Sequence, residues 1–120
     1  MKTALLLLLT AGLLIPAAQE QEANFTIRFE PTAVLQTGAP IPVQINVTDA
    51  RQKPVEQAKV TLQIETTDHK QVQVFRAPAI SPGVYVAKPV FPATGQWSIY
   101  VEVRRNDRMS SRTDQYDVAK

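Results

Sequence analysis

Downstream of residue 24 the apolar residues recur at every second position, and nowhere at helical spacing over ten residues. Phe25, Ile27 and Phe29 alternate with Thr26, Arg28 and Glu30. Ile41, Val43, Ile45 and Val47 alternate with Pro42, Gln44, Asn46 and Thr48, and Val60, Leu62 and Ile64 with Thr61, Gln63 and Glu65. A period of two sends successive side chains to opposite faces of an extended chain, so each run predicts a strand with one face in a core. Val72 and Val74 continue the pattern against Gln71 and Gln73, with Phe75 placed over the end of the core. Between 84 and 90, Val84, Val86, Pro89 and Val90 compete for the inward face. After Gly95, Trp97, Ile99, Val101 and Val103 share one side, while Ser98, Tyr100 and Glu102 share the other. A turn at Asn106-Asp107 leads to a last strand near 111–118.

Polar, proline and glycine segments separate these runs at 37–40, 49–54, 66–70, 78–83 and 92–95. Gly83 and Gly95 read as turn positions that need unusual backbone angles. The 9 prolines, spread among β-branched residues, exclude long helices. Roughly seven short strands with such connections predict an all-β fold: a single immunoglobulin-like antiparallel β-sandwich. Trp97 is expected in its core, and Tyr85, Tyr100 and Tyr116 on its outward faces.

The first residues follow another rule. Met1-Lys2-Thr3 is short and basic, residues 4–15 are apolar apart from Thr10 and Gly12, and Pro16-Ala17-Ala18 precedes Gln19-Glu20. This is the layout of a secretory signal peptide. As a helix, residues 4–18 would reach only about 22 Å, short of a hydrocarbon core of roughly 30 Å. Residues 1–18 are therefore expected to be a cleaved signal, 19–23 a disordered leader, and 24–120 the domain, with no stable membrane span after processing. With no cysteine anywhere in the chain, lipid attachment of the bacterial lipoprotein kind, disulfides and thiolate metal ligands are excluded. An exported, cysteine-free small domain points to the periplasm or surface of a bacterial envelope. Cleavage removes Lys2, which leaves the mature chain nearly neutral and unlike a polyanion binder; export also discounts nucleic acid as a partner.

Several short motifs carry a resemblance. Gly38-Ala39-Pro40, Val43-Gln44-Ile45-Asn46-Val47-Thr48-Asp49-Ala50, Pro54-Val55, Ala58-Lys59-Val60, Pro82-Gly83-Val84-Tyr85 and Gly95-Gln96-Trp97 are similar to the YtkA-like domain, whose family includes FixH-like proteins. The resemblance covers about residues 31–105. It implies an exported bacterial β-sandwich, linked in some members to copper handling or assembly of a respiratory oxidase. Many relatives place histidines and methionines in the loop that corresponds to 66–70, where this chain has only His69.

The candidate chemistry is sparse. His69 is the only histidine, and Met109 the only methionine beyond the signal. A soft-metal site needs several converging nitrogen or sulfur donors, so the monomer is expected to hold no cofactor. His69, beside Asp68, is the one candidate metal ligand, with copper the metal implied by the resemblance. No Gly-x-Ser-x-Gly motif or patterned nucleophile and base is present, so no enzymatic activity is expected. Arg104, Arg105, Arg108 and Arg112 crowd around Asn106-Asp107. The expected role is an accessory domain acting by protein–protein contact with an envelope protein, through sheet edges and end loops; the candidate contact residues are Arg104, Arg105, Arg108, Asp68 and His69. The alternatives are copper handling or oxidase assembly, and a glycan- or ligand-binding surface built on the tyrosines.

Overall fold

Two sheets face each other across a core of alternating aliphatic and aromatic side chains. The computed structural model describes residues 21–22 and 24–120. In chain order the strands are β1 (Gln21–Glu22), β2 (Thr26–Pro31), β3 (Val43–Thr48), β4 (Lys59–Thr66), β5 (Val72–Arg76), β6 (Ala79–Ser81), β7 (Val84–Ala87), β8 (Gly95–Arg105) and β9 (Arg108–Val118). One sheet has the order β1-β9-β8-β4-β5 and the other β2-β3-β7-β6. Every pairing is antiparallel except that of β1, which runs parallel to β9. With β1 set aside, each sheet has four strands, and their order is that of the immunoglobulin sandwich with one added edge strand, β5. No helix of the described residues is long and apolar enough to cross a membrane. The expected signal at 1–18 lies outside the described residues. Within the expected leader, Gln21 and Glu22 lie opposite Arg108 and Met109.

The period-two runs form strands because their apolar members meet between the sheets. Val43, Ile45 and Val47 of β3 face Leu62 and Ile64 of β4 and Trp97, Ile99, Val101 and Val103 of β8, all of them buried. The Trp97 indole N–H donates to Ala93 O at 3.0 Å, and its ring meets Phe91 edge-on at 5.5 Å between centroids. The expectation for Trp97 therefore holds, with its one polar atom satisfied inside the core.

Three expectations are corrected. The sandwich has eight full strands against the roughly seven expected, because residues read as a turn, Ala79–Ser81, form the short edge strand β6. On β7 the inward residues are Tyr85 and Ala87, while Val84 and Val86 are half-buried. The Tyr85 ring fills the core and its hydroxyl has two partners there: it donates to Val55 O at 2.7 Å and accepts from Ala58 N–H at 3.2 Å. That bridge ties β7 to the connection between β3 and β4, and it outweighs the preference of two valines for the same face. On β5, Val72 and Val74 lie opposite the outward Glu65 and Gln63, whereas Phe75 lies opposite the buried Leu62. The valines therefore point outward and the phenylalanine packs on the core.

Gly83 sits where backbone must approach backbone. Its φ is +72°, and an added Cβ would lie 2.7 Å from Pro54 Cβ and 3.0 Å from Val47 O. Gly95 also has positive φ, +117°, but with open space around it. Replacing Gly83 by Ala is expected to cost roughly 2–4 kcal/mol, against roughly 1 kcal/mol for Gly95→Ala, since both pay the left-handed backbone term and only Gly83→Ala adds a clash. Urea melts of the two variants check this; equal losses would remove the close approach as the reason for Gly83. Tyr85→Phe, which strands the buried Val55 carbonyl, is expected to cost about 1–3 kcal/mol in the same assay.

Candidate functional site

The candidate contact residues fall into two groups, and the β4–β8 ladder sets them apart. Lys59 pairs with Arg104 at one end and Thr66 with Trp97 at the other. At about 3.3 Å per residue, the eight-residue β4 separates the two ends by roughly 23 Å. Arg104, Arg105 and Arg108 therefore do not form one surface with Asp68 and His69.

At the 66–70 end, a tight loop uses most of its polar groups on itself. Asp68 Oδ1 accepts from Thr66 Oγ1 at 2.7 Å and from Lys70 N–H at 3.0 Å, and Thr66 Oγ1 accepts from Gln71 N–H at 3.1 Å. The Thr66 hydroxyl, followed by the Lys70 N–H, holds the Asp68 carboxyl below its ordinary 3.8. His69 takes a φ of 63° at the turn, which carries its Nδ1 back to 2.6 Å from Glu65 Oε2, with the imidazole 75% exposed. The carboxylate beside His69 is thus that of Glu65, and Asp68 is occupied with the loop backbone. Among the described residues, no group of three or more His, Cys, Asp or Glu side chains is arranged to hold a metal ion.

At the other end stands the tip of the β8–β9 hairpin. Arg105 and Arg108 are the last opposed pair, closing on Asn106-Asp107, and Asn106 has a φ of 59° that asparagine tolerates well. Both arginines are exposed. Arg104 is braced from within its own strand: its Nε donates to Glu102 Oε2 at 2.6 Å, and Glu102 Oε1 accepts from the Tyr100 hydroxyl at 3.0 Å. Burial, then the bond to Glu102, pushes the Tyr100 phenol above its ordinary 10.0.

Register adds cations that spacing along the chain does not reveal. Lys59 lies opposite Arg104. The 49–54 turn brings Arg51 to Arg108, where the two help line a cavity of about 280 Å³ together with Asn24, Phe25, Asp49 and Ala50. Asp49 spends its Oδ1 on the turn, accepting from Arg51 N–H at 2.8 Å and Lys53 N–H at 3.0 Å. Those two bonds, the Lys53 one first, hold its carboxyl below the ordinary 3.8.

Arg112, grouped with the tip arginines in the sequence, does different work. Its Nε donates to Asp114 Oδ2 and its Nη1 to Ile27 O, each at 2.8 Å, and its guanidinium lies 5.4 Å from the Phe29 ring centroid. It fastens β9 to β2 across the gap between the sheets. The tyrosines, expected together on outward faces, are dispersed. Tyr85 is buried, Tyr100 lies on the outward face of β8, and Tyr116 lies opposite Trp97 and packs on the core edge.

The alternating pattern does not mark every exposed apolar side chain. Val72, Val74 and Ile80 are 48, 61 and 62% exposed on the adjoining edge strands β5 and β6. Nearby, Phe75, Arg76, Pro78, Ile80, Val86 and Lys88 line a groove of about 420 Å³.

In comparison with known proteins, a family model described as YtkA-like matches residues 17–102. No curated protein matches the sequence.

The two turn carboxylates make an acid-range prediction. Their folded values are depressed, so the unfolded chain binds more protons as pH falls, and their stabilisation, complete above the ordinary 3.8, is lost as pH drops through the lowered folded values. Urea midpoints measured from about pH 5 to about pH 2 should fall less steeply for Asp49→Ala/Asp68→Ala than for the unaltered protein. Parallel curves would show that these bonds do not discriminate the folded state.

Proposed function

Because the chain belongs to the YtkA-like family, we propose that it is a non-enzymatic accessory domain, exported to the bacterial cell envelope, that works by protein–protein contact. The observation that carries the reading is the basic end of the sandwich. Arg105 and Arg108 project from the hairpin tip, with Lys59 and Arg104 behind them and Arg51 across the cavity. Of the acids nearby, Asp49 is engaged by its own turn and Glu102 by Tyr100 and Arg104, while Asp107 stands exposed at the tip and offsets one of the cations. The end therefore presents donors and positive charge, which fits an acidic protein surface. Paired strands carry Arg104, Arg105 and Arg108, so little of their backbone has to be ordered on contact.

Exposed charges a Debye length apart, about 8 Å at physiological salt, are screened from one another, so the contact should be salt-sensitive. Cross-linking in envelope extract at low ionic strength is expected to recover a stoichiometric acidic partner. Arg105→Glu/Arg108→Glu should lose that partner by tenfold or more, with an unchanged circular dichroism spectrum. Recovery of no stoichiometric partner, or equal recovery by the double variant, overturns the reading.

A further inference from the structure

Sheet edges invite other strands unless something blocks them, and three of the four outer edges here are blocked. At β2, Pro31 ends the strand and Arg112 occupies the Ile27 carbonyl. At β9, β1 covers the tip, and Arg112, Asp114 and Asp117 place charges along the remainder. Strand β6 is three residues long, irregular in register, and bounded by Pro78 and Pro82. Among the described residues β5 has no such guard. It reads Val-Gln-Val-Phe-Arg, with no proline, no bulge and no charge before its last residue.

The hydrogen bonding of β5 fixes which of its backbone groups are on offer. Thr66 N–H donates to Gln71 O at 3.0 Å and Ala77 N–H to Val60 O at 2.9 Å, one at each end of the β4–β5 ladder. Bonded and non-bonded pairs alternate in an antiparallel ladder. Gln73 and Phe75 therefore bond to β4, while the N–H and C=O groups of Val72, Val74 and Arg76 turn away from it.

That spacing is self-complementary. A second copy laid antiparallel about a twofold axis at Val74 places Val74 on Val74 and Val72 on the second copy's Arg76. Each of these is a bonded pair, so every outward group is matched. On the outward face the row then reads Glu65, Val72, the second copy's Arg76 and its Thr61. Glu65 and that arginine stand two strand spacings apart, roughly 10 Å between Cα atoms, within the combined reach of the two side chains. Glu65 Oε2 already meets His69 Nδ1, and a carboxylate can accept from both. The twofold repeats the pair on the other side.

We infer that β5 is a dimerisation edge: two copies join there into one continuous sheet, with Val74 on the twofold axis and Glu65 paired to the opposite Arg76. A contact confined to a five-residue strand belongs to the small, weak class of interfaces, so dissociation constants of roughly 10 µM to roughly 1 mM are expected. The edge is separate from the arginine tip, so this inference stands or falls apart from the proposed partner.

Sedimentation equilibrium on the purified protein reads the outcome. A monomer throughout that concentration range overturns the inference. Val74→Lys, at a 61% exposed position, puts two ammonium groups face to face and should abolish the dimer. Arg76→Glu should weaken it by about tenfold, and Glu65→Arg/Arg76→Glu should restore it; a swap that fails to restore it overturns the register. The native chain has no cysteine, so Val74→Cys should give a covalent dimer on mild oxidation and Val34→Cys, 74% exposed elsewhere, should not. Equal cross-linking of the two, or a dimer weakened by Arg105→Glu/Arg108→Glu, places the contact elsewhere and overturns the inference.

Discussion

Burial of one alternating set of side chains between the β4–β8 pair and the β3–β7 pair is the constraint on which everything else rests. Val43, Ile45, Val47, Leu62, Ile64, Ile99, Val101 and Val103 are sealed from solvent there, with Trp97, Tyr85 and Phe91 filling the larger gaps. Each such side chain contributes roughly 1.5–3 kcal/mol when fully buried. A slip of one residue in any ladder would turn an entire set outward. Register is thus fixed by the core, and register in turn decides which polar residues become neighbours outside: Lys59 with Arg104, Thr61 with Glu102, Gln63 with Tyr100.

How much of this is legible in the sequence depends on how unequal the two faces of each strand are. For β3, β4 and β8 the buried residues are all aliphatic or aromatic and their neighbours are polar or amphipathic, so hydrophobicity alone identifies the inward face. For β7 both faces are apolar, and the decision falls to the Tyr85 hydroxyl, which reaches Val55 O and Ala58 N–H only when the ring points inward. Strand β5 defeats the pattern differently. Its valines look like core residues, but the strand lies at the rim, and only opposition to Leu62 shows that Phe75 is the inward residue. Family membership was readable from turn and strand motifs, because those motifs are what the fold requires.

The candidate surfaces were legible in part. A run as basic as Arg104-Arg105-Asn106-Asp107-Arg108 stands out in any reading. Lys59 and Arg51 join it through pairing and a distant turn, and no spacing along the chain foretells either. Asp68 and His69 are adjacent in sequence, yet the left-handed turn at His69 sends their side chains to different partners.

Arg112 has a shape that its charge alone does not convey. One planar guanidinium meets the Asp114 carboxylate, the Ile27 carbonyl and the face of the Phe29 ring together. A lysine there would keep the positive charge but lack the flat, forked donor set, and the β2 rim would lose its latch. Pro31 would still end the strand, but the Ile27 carbonyl would stand uncovered at the edge, so the choice of arginine bears on what that rim offers to a neighbouring molecule as well as on cohesion.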